Sequence, residues 1–133
     1  MAPMRARSPG ACLNLAFSPD GRFLASGGEE YTVKIWDVEK GGEPVTILRG
    51  HKEDIYAVAF SPDGRWLASA GEDTTVRVLD CRAGYALARI FRGHNGLVNS
   101  LAFSPDSQQL FSGSNDYTVK VWNMTQLNDR PDP

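Results

Sequence analysis

A repeat of 43 residues constrains the fold of this 133-residue chain more than any other feature of its sequence. The segment FSPDG at 17–21 returns unchanged at 60–64 and as FSPDS at 103–107. The pair Gly-His keeps the same period, at 50–51 and again at 93–94. A fixed period of this length indicates stacked copies of one structural unit, each of which buries its apolar face against the next copy.

Each repeat consists of short alternating segments separated by turn residues. In the second repeat, 55–60 (IYAVAF) alternates apolar residues with small or polar ones, as a half-buried strand does. The turn 61–64 (SPDG) follows, in which proline presets φ and glycine accepts the dihedrals that close the turn. Three further strands are predicted at 66–70, 75–80 and 86–91. No segment shows the 3.6-residue period of an amphipathic helix, so we predict an all-β fold.

Together with Trp36-Asp37 and its counterparts at 79–80 and 122–123, these markers resemble the WD40 repeat, a unit of four strands and about 40–45 residues. The resemblance implies a partial β-propeller, in which each repeat supplies a four-stranded antiparallel blade around a central channel. It covers residues 11–123, with repeats at about 11–50, 51–93 and 94–123. We expect a flexible N-terminus at 1–10 and a disordered tail at 124–133.

The third blade is predicted to lack its outer strand. The resemblance places the outer strand of the first blade at 44–49, and two further periods from there end beyond Pro133. Propellers close with 4–8 blades, so three blades leave apolar faces and a strand edge uncovered. Three interpretations stay open: a fragment of a larger propeller, which we favour, a chain that closes a ring with copies of itself, and a remnant gene product.

The apolar positions of the strands are predicted to form the core. They are Val33, Ile35, Val58, Leu67, Val76, Val78, Leu101, Leu110, Val119 and Val121. We assign Gly27, Gly28 and Gly71 to turns rather than to a phosphate-binding loop, because no helix follows them.

His94, Ser112 and Asp116 are the residue types of a catalytic triad. In the family that this chain resembles, the matching residues form a structural hydrogen-bond network with a tryptophan, here Trp122. A buried network with every member satisfied would join the loop to the inner strands. Nothing in the sequence indicates an exposed nucleophile or an oxyanion hole, so we interpret the set as structural and predict no catalytic residues.

The other two repeats depart from this pattern. The second keeps His51, Ser69 and Asp73 but has Leu79 where tryptophan is expected, so we expect its blade to be held less tightly. In the first repeat the histidine position falls on Ser8 and the aspartate position on Glu30, which leaves only Ser26 and Trp36.

Propellers of the resembled family bind partners mainly on the face formed by two sets of loops, those after Gly-His and those joining the second and third strands. On this chain the face is predicted to comprise Glu29, Tyr31, Lys52, Glu53, Asp54, Tyr56, Glu72, Thr74, Asn95, Leu97, Asn99, Asn115 and Tyr117. Its acidic residues outnumber its basic ones, which favours a partner segment that carries lysine or arginine. The alternative is that these are ordinary solvated loop charges.

Composition excludes several other classes of function. The net charge of −2 and the isoelectric point of about 5.6 give no electrostatic reason to expect nucleic acid as a partner. No apolar run is long enough to predict a membrane span. Cys12, His51, Cys81 and His94 lack the close paired spacing of zinc ligands, so we expect neither a metal nor a cofactor. Two cysteines make no disulfide framework, which favours the cytoplasm.

We therefore predict a non-catalytic scaffold module that binds other proteins or peptides, and that completes its propeller with further blades or by self-association. The alternative is a regulatory or sensor segment of a larger enzyme, such as a kinase or a protease. The sequence would look the same in both cases, because a fold does not fix a function.

Overall fold

The computed structural model describes residue 4 and residues 10–125. The strands are β1 (Cys12–Phe17), β2 (Phe23–Gly28), β3 (Val33–Asp37), β4 (Thr46–Leu48), β5 (Ile55–Phe60), β6 (Trp66–Gly71), β7 (Val76–Asp80), β8 (Ala86–Phe91), β9 (Val98–Phe103), β10 (Gln109–Ser114) and β11 (Val119–Asn123). A single turn of 3-10 helix, Cys81–Ala83, follows β7. No helix within these residues is long and apolar enough to cross a membrane.

The strands form three antiparallel sheets, which confirms the all-β prediction. Blade 1 has the order β1-β2-β3-β4, blade 2 the order β5-β6-β7-β8, and blade 3 the order β9-β10-β11. Over the described residues, blade 3 therefore has three strands and β11 is its outer edge. The predicted tail and N-terminus lie outside the described residues, apart from Met4, Gly10, Met124 and Thr125.

The turn between the first two strands of each blade is fixed by its own side chains. In blade 2 the hydroxyl of Ser61 donates to Asp63 Oδ1 (2.6 Å) and accepts from the amide of Trp66 (2.9 Å). Asp63 Oδ1 also accepts from the amide of Arg65 (3.0 Å), and Gly64 takes a φ of 78°, which favours glycine. The Ser-Pro-Asp sequence thus closes the hairpin locally in each repeat.

The glycines predicted to lie in turns instead belong to strands, so that prediction was wrong. Gly27 and Gly28 end β2, and Gly71 ends β6. A Cβ on Gly28 would lie 2.1 Å from the carbonyl oxygen of Ala11, and one on Gly71 would lie 2.0 Å from that of Asp54. These glycines permit the close approach of the neighbouring chain at the β-bulge where β1 pairs with β2 and β5 with β6.

The core lies between the blades rather than within any one sheet. Between blades 1 and 2 it consists of Ala25, Val33, Ile35, Ile55, Val58 and Leu67. Between blades 2 and 3 it consists of Trp66, Ala68, Ala70, Val76, Val78, Phe91, Val98, Leu110 and Met124. Met124, predicted to begin the tail, is only 2% exposed. We call the side of a blade that packs on the preceding blade its incoming face, and the other side its outgoing face.

The core prediction was wrong for two residues of the last strand. Val119 and Val121 are 69% and 53% exposed, although their counterparts one period earlier, Val76 and Val78, are fully buried. The reason is positional, because both valines lie on the outgoing face of blade 3 and no further sheet among residues 10–125 covers them. The apolar pattern of a strand predicts which side is suited to pack on another sheet, but it does not show whether such a sheet is present.

The packing between blades 1 and 2 predicts a compensating pair of substitutions. A Cβ on Gly27 would lie 2.5 Å from Ile55 Cγ2, so Gly27→Ala should destabilise the fold by about 1–3 kcal/mol through overpacking. One period later the same two positions are Ala70 and Val98, both fully buried, so alanine is accommodated there opposite a smaller residue than isoleucine. Valine at 55 would keep Cγ2, whereas alanine removes it, so the double variant Gly27→Ala, Ile55→Ala should be less destabilised than the sum of the two single changes. Urea unfolding in a double-mutant cycle measures this, and strict additivity would contradict it.

Candidate functional site

The predicted polar set of blade 3 lies together in the structure. Trp122 Nε1–H donates to Ser112 Oγ (2.8 Å), and Ser112 Oγ lies 2.7 Å from His94 Nε2. His94 Nδ1 lies 2.8 Å from Asp116 Oδ2, which also accepts from the amide of Asn95 (3.0 Å). A carboxylate only accepts, so His94 donates from Nδ1 to Asp116. In the neutral tautomer that this bond selects, His94 Nε2 accepts from the Ser112 hydroxyl, whose oxygen accepts from Trp122.

The surroundings of these residues fit a structural network better than a catalytic one. Ser112 is 0% exposed and His94 6%, so the serine hydroxyl does not face solvent, where a substrate would arrive. The hydrogen bonds from Thr118 and His94, working against burial of the carboxylate, hold the pKa of Asp116 below its ordinary value. The chain of four residues joins the loop after β8 to β10, the β10–β11 loop and β11.

Blade 2 holds a shorter version of the same network. His51 Nε2 lies 2.8 Å from Ser69 Oγ, and His51 Nδ1 lies 2.8 Å from Asp73 Oδ2. Burial of Asp73 favours its neutral form, but the hydrogen bonds from His51 and Thr75 outweigh burial and hold its pKa below the ordinary value. With Leu79 in place of tryptophan, Ser69 accepts no indole hydrogen bond.

Blade 1 replaces the network with an ion pair. Trp36 Nε1–H donates to Ser26 Oγ (2.9 Å), as in blade 3. Lys34 Nζ lies 3.3 Å from Glu30 Oε2 and donates to Thr32 Oγ1 (3.1 Å). The sequence showed that glutamate replaces the aspartate of this repeat, but the ion pair was not predicted, although Glu30 and Lys34 are only four residues apart. Ser8, which takes the histidine position, lies outside the described residues.

Most residues of the predicted binding face lie in loops at one end of the blades, which we call the upper end. The prediction was wrong for Tyr56 and Asn99, which are the second residues of β5 and β9 rather than loop residues. The amide of Glu29 donates to the carbonyl of Ala11, that of Glu72 to Asp54, and that of Asn115 to Leu97. These equivalent bonds bring the loop before the first strand of each blade beside the loop that joins its second and third strands. The antiparallel order of the strands places the Ser-Pro-Asp turns and the β3–β4 loop at the opposite, lower end.

Three equivalent loop residues at the upper end share a strained backbone. Tyr31, Thr74 and Tyr117 have φ values of 66°, 68° and 70°, a region that side-chain-bearing residues rarely adopt. Tyr31 is 46% exposed and Tyr117 fully exposed. The three sites recur at the 43-residue period, so the left-handed residue is part of the turn that each repeat encodes. Lys52, Glu53 and Asn95, from the loops after Gly-His, are also exposed.

The upper end contains one acidic cluster, which surrounds the side chain of Tyr56 near the start of β5. Burial, the nearby carboxylates of Glu72 and Asp54, a hydrogen bond with Glu72, and the more distant Glu29 together raise the pKa of the Tyr56 phenol. In blade 3 the matching position is Asn99, whose amide donates to Asn115 Oδ1 (2.7 Å). In blade 1 it is Leu13, which is 39% exposed and which sequence reasoning missed; its offset of one period from Tyr56 was the available signal.

Comparison with known proteins assigns the family. The sequence profile of the family described as "WD domain, G-beta repeat" matches residues 7–37, 42–80 and 86–123. These ranges cover most of the chain, and each includes the first three strands of one blade. The second and third ranges also include β4 and β8, the outer strands of the preceding blades. The chain is a WD40-repeat protein, and it belongs to the family of WD domain, G-beta repeat proteins.

Three curated relatives match single stretches of about one repeat. The general transcriptional corepressor TUP1 of Saccharomyces cerevisiae is 49% identical over 45 residues, which are 34% of this chain and 6% of TUP1. WD repeat and SOCS box-containing protein 1 is 39% identical over 44 residues in Danio rerio and 36% identical over 45 residues in Homo sapiens. These matches cover 32% and 33% of this chain and 10% and 11% of the relatives. The chain therefore spans a small part of each relative's length.

The unequal networks predict unequal costs of removing the central serine. Ser112→Ala leaves both the Trp122 donor and the His94 acceptor without a buried partner, and should cost about 2–4 kcal/mol of unfolding free energy. Ser69→Ala leaves only His51 without its partner, and should cost about 1–3 kcal/mol. Urea unfolding of both variants measures the difference. Equal losses would contradict a role for Trp122 in the network.

The lowered pKa values of Asp73 and Asp116 predict acid-dependent stability. A carboxyl group whose pKa is lower in the folded than in the unfolded chain stabilises the fold above its unfolded pKa of about 3.9, and that stability disappears as the pH falls towards the folded value. We expect the unfolding free energy to fall as the pH drops below about 4. In the double variant Asp73→Asn, Asp116→Asn this slope should be shallower, measured by denaturant titrations over the acid range. A slope equal to that of the wild type would count against the two aspartates.

Proposed function

We propose that this chain is a non-catalytic protein-interaction module whose upper end binds a basic segment of a partner protein. The observation that carries the proposal is the cluster of Glu29, Asp54 and Glu72 around the Tyr56 phenol. Asp54 is half-buried and Glu29 and Glu72 are exposed, so these carboxylates create a local negative potential that added salt weakens. A lysine or arginine side chain would neutralise these charges and could also pack on the ring.

The charges of the neighbouring loops support the same choice of partner. Glu53 is exposed beside the cluster, and Lys52 is the only basic residue of the predicted face. The amide of Lys52 is tied to Asp73, so the polar network of blade 2 fixes the backbone from which Glu53 and Asp54 follow. Charges on a fixed loop can face a ligand without losing as much entropy on binding as charges on a mobile loop would.

Exposed tyrosines provide anchors at the edge of this face. Tyr31 and Tyr117 lie at the tips of the loops joining the second and third strands, where the left-handed backbone turns the chain sharply. Tyrosine combines apolar area with a hydroxyl group and loses little side-chain entropy, which is why it is enriched at interfaces. We propose that these rings contact the partner on either side of the acidic cluster.

The names of the relatives agree with a binding role. One is a transcriptional corepressor and the others are SOCS box-containing proteins, and no name describes a reaction. We propose that this chain likewise acts by bringing proteins together, as part of a larger propeller or by association with further copies. A regulatory segment of a larger enzyme remains the alternative. Cys12 and Cys81 are both free thiols, which supports the cytoplasm as the compartment.

Charge reversal at the upper end tests the proposed recognition. The double variant Glu53→Lys, Glu72→Lys should lose binding to lysine- and arginine-rich peptides on a peptide array, and the salt dependence of the remaining binding should be weaker. The matched control is Glu39→Lys, Glu43→Lys, which changes the net charge equally but alters the β3–β4 region at the lower end. Wild-type binding by the upper-end variant, or an equal loss in the control, would argue against this face.

A further inference from the structure

The two terminal faces of the three-blade array expose apolar side chains that should be covered. On the incoming face of blade 1, Leu15 and Phe17 are 57% and 60% exposed. On the outgoing face of blade 3, Val119 and Val121 are 69% and 53% exposed, and Phe111 lies beside them. A contiguous apolar surface of this kind on a globular chain is typical of an interface.

The repeat indicates what would cover these two faces, because the same kinds of face pack on each other inside the chain. Between successive blades, the outgoing face of one blade packs on the incoming face of the next. The outgoing face of blade 3 matches Val33 and Ile35 of blade 1 and Val76 and Val78 of blade 2, all at most 2% exposed. In each case an incoming face covers them. The incoming face of blade 1 matches that of blade 2, where Val58 is 5% exposed and Phe60 packs on the core. The exposed faces are thus the two complementary halves of one repeated interface.

Two side chains on the exposed faces differ in volume from their equivalents in the internal interfaces, one being larger and the other smaller. Phe111 occupies the position of Ala25 and Ala68, so the outgoing face of blade 3 is bulkier at its centre. Cys12 occupies the position of Ile55 and Val98, so the incoming face of blade 1 is less bulky there. Gly113 matches Gly27, against which Ile55 packs, but Ser100 Oγ would lie 2.6 Å from a Cβ on Gly113, so this position adds no free space. Exchanges that keep the total volume are the ones that packed interfaces tolerate.

We propose that the outgoing face of blade 3 binds the incoming face of blade 1 of a second copy of this chain, so that two copies close a six-blade ring. The proposal rests on the self-association proposed above and assigns its residues and stoichiometry. Closed propellers have 4–8 blades, and for the three blades formed by the described residues only two copies fall in that range. A twofold axis along the channel would repeat the contact, so all four terminal faces of the pair are buried together.

Substitution of one face tests the docking. Val121→Asp places a carboxylate in the contact at both sites of the ring, and should weaken self-association at least about 100-fold. The matched control is Leu87→Asp, which changes an apolar residue of similar exposure (48%) on the outer strand of blade 2, away from both terminal faces. Light scattering over a dilution series should give twice the mass of one chain for the wild type and the control, and one chain for Val121→Asp.

A charge swap shows whether the two faces meet each other. Leu15→Lys alone should dissociate the pair, and combining it with Val121→Asp should restore part of the association, because the two new charges are opposite and lie within the same contact. Circular dichroism shows that each variant keeps its β structure. Failure of the double variant to associate more tightly than either single variant would overturn the pairing of these faces.

The thiol of Cys12 gives a second readout. Cys12 is exposed in the single chain, whereas burial beside Asp80 raises the pKa of Cys81 to about 12 and keeps its thiolate rare. Cys12 should therefore react with a thiol reagent quickly in Val121→Asp and slowly in the concentrated wild type.

The possible outcomes separate this proposal from the proposed function. A wild type of one-chain mass with a fast Cys12 would overturn the docking, since these faces would then be free or need blades from another polypeptide. A mass that grows beyond two chains with concentration would overturn the closed ring. If the variant Glu53→Lys, Glu72→Lys keeps the two-chain mass and binds basic peptides as well as the wild type does, the recognition proposal fails and the docking stands.

Discussion

Packing of one sheet on the next is the interaction on which this structure depends. Each blade is a small antiparallel sheet that cannot bury both of its faces by itself. The core consequently consists of two clusters, one on each side of blade 2. Blade 2 is covered on both faces and supplies residues to both clusters, whereas the described part of the chain covers blades 1 and 3 on one face only. Stability is therefore expected to depend on the nearest-neighbour contacts, as in other repeat proteins.

The same packing holds the candidate binding face in position. Asp73 and Asp116 accept hydrogen bonds both from a histidine and from the backbone of the loop that follows it. At the lower end, the serine and aspartate of each Ser-Pro-Asp turn hold the first hairpin closed. The loops of the upper end are thus fixed at their bases, while their tips carry tyrosines and carboxylates. A rigid base with polar tips is the arrangement by which loops on a scaffold recognise partners.

Much of this could be predicted from the sequence, because the repeat presents each position three times. The strands followed from the 43-residue period, and the strand order and the residues of the polar networks followed from the family resemblance that the repeats carry. The three-stranded third blade of the described residues was expected on the same ground. The exposure of Val119 and Val121 could not, because the sequence of a strand is the same whether or not a neighbouring blade is present. The strand glycines were missed because glycine serves both turns and close backbone approach. The Glu30–Lys34 pair was missed because it replaces the pattern rather than repeating it.

The position of the polar networks also follows in part from the packing of the blades. Blade 3 keeps all four residues although its outgoing face is open, and blade 1 keeps only two. Ser112 and Trp122 lie on the incoming side of blade 3, where the Trp122 ring stacks on Phe91 of blade 2 at 4.7 Å. The corresponding side of blade 1 is the one that exposes Leu15 and Phe17. A polar network gains most from low dielectric and from fixed geometry, and both come from the blade that covers it. Both blades that pack on a preceding blade keep the histidine, serine and aspartate, whereas blade 1 does not. Cover does not account for the tryptophan, because blade 2 has Leu79 at that position.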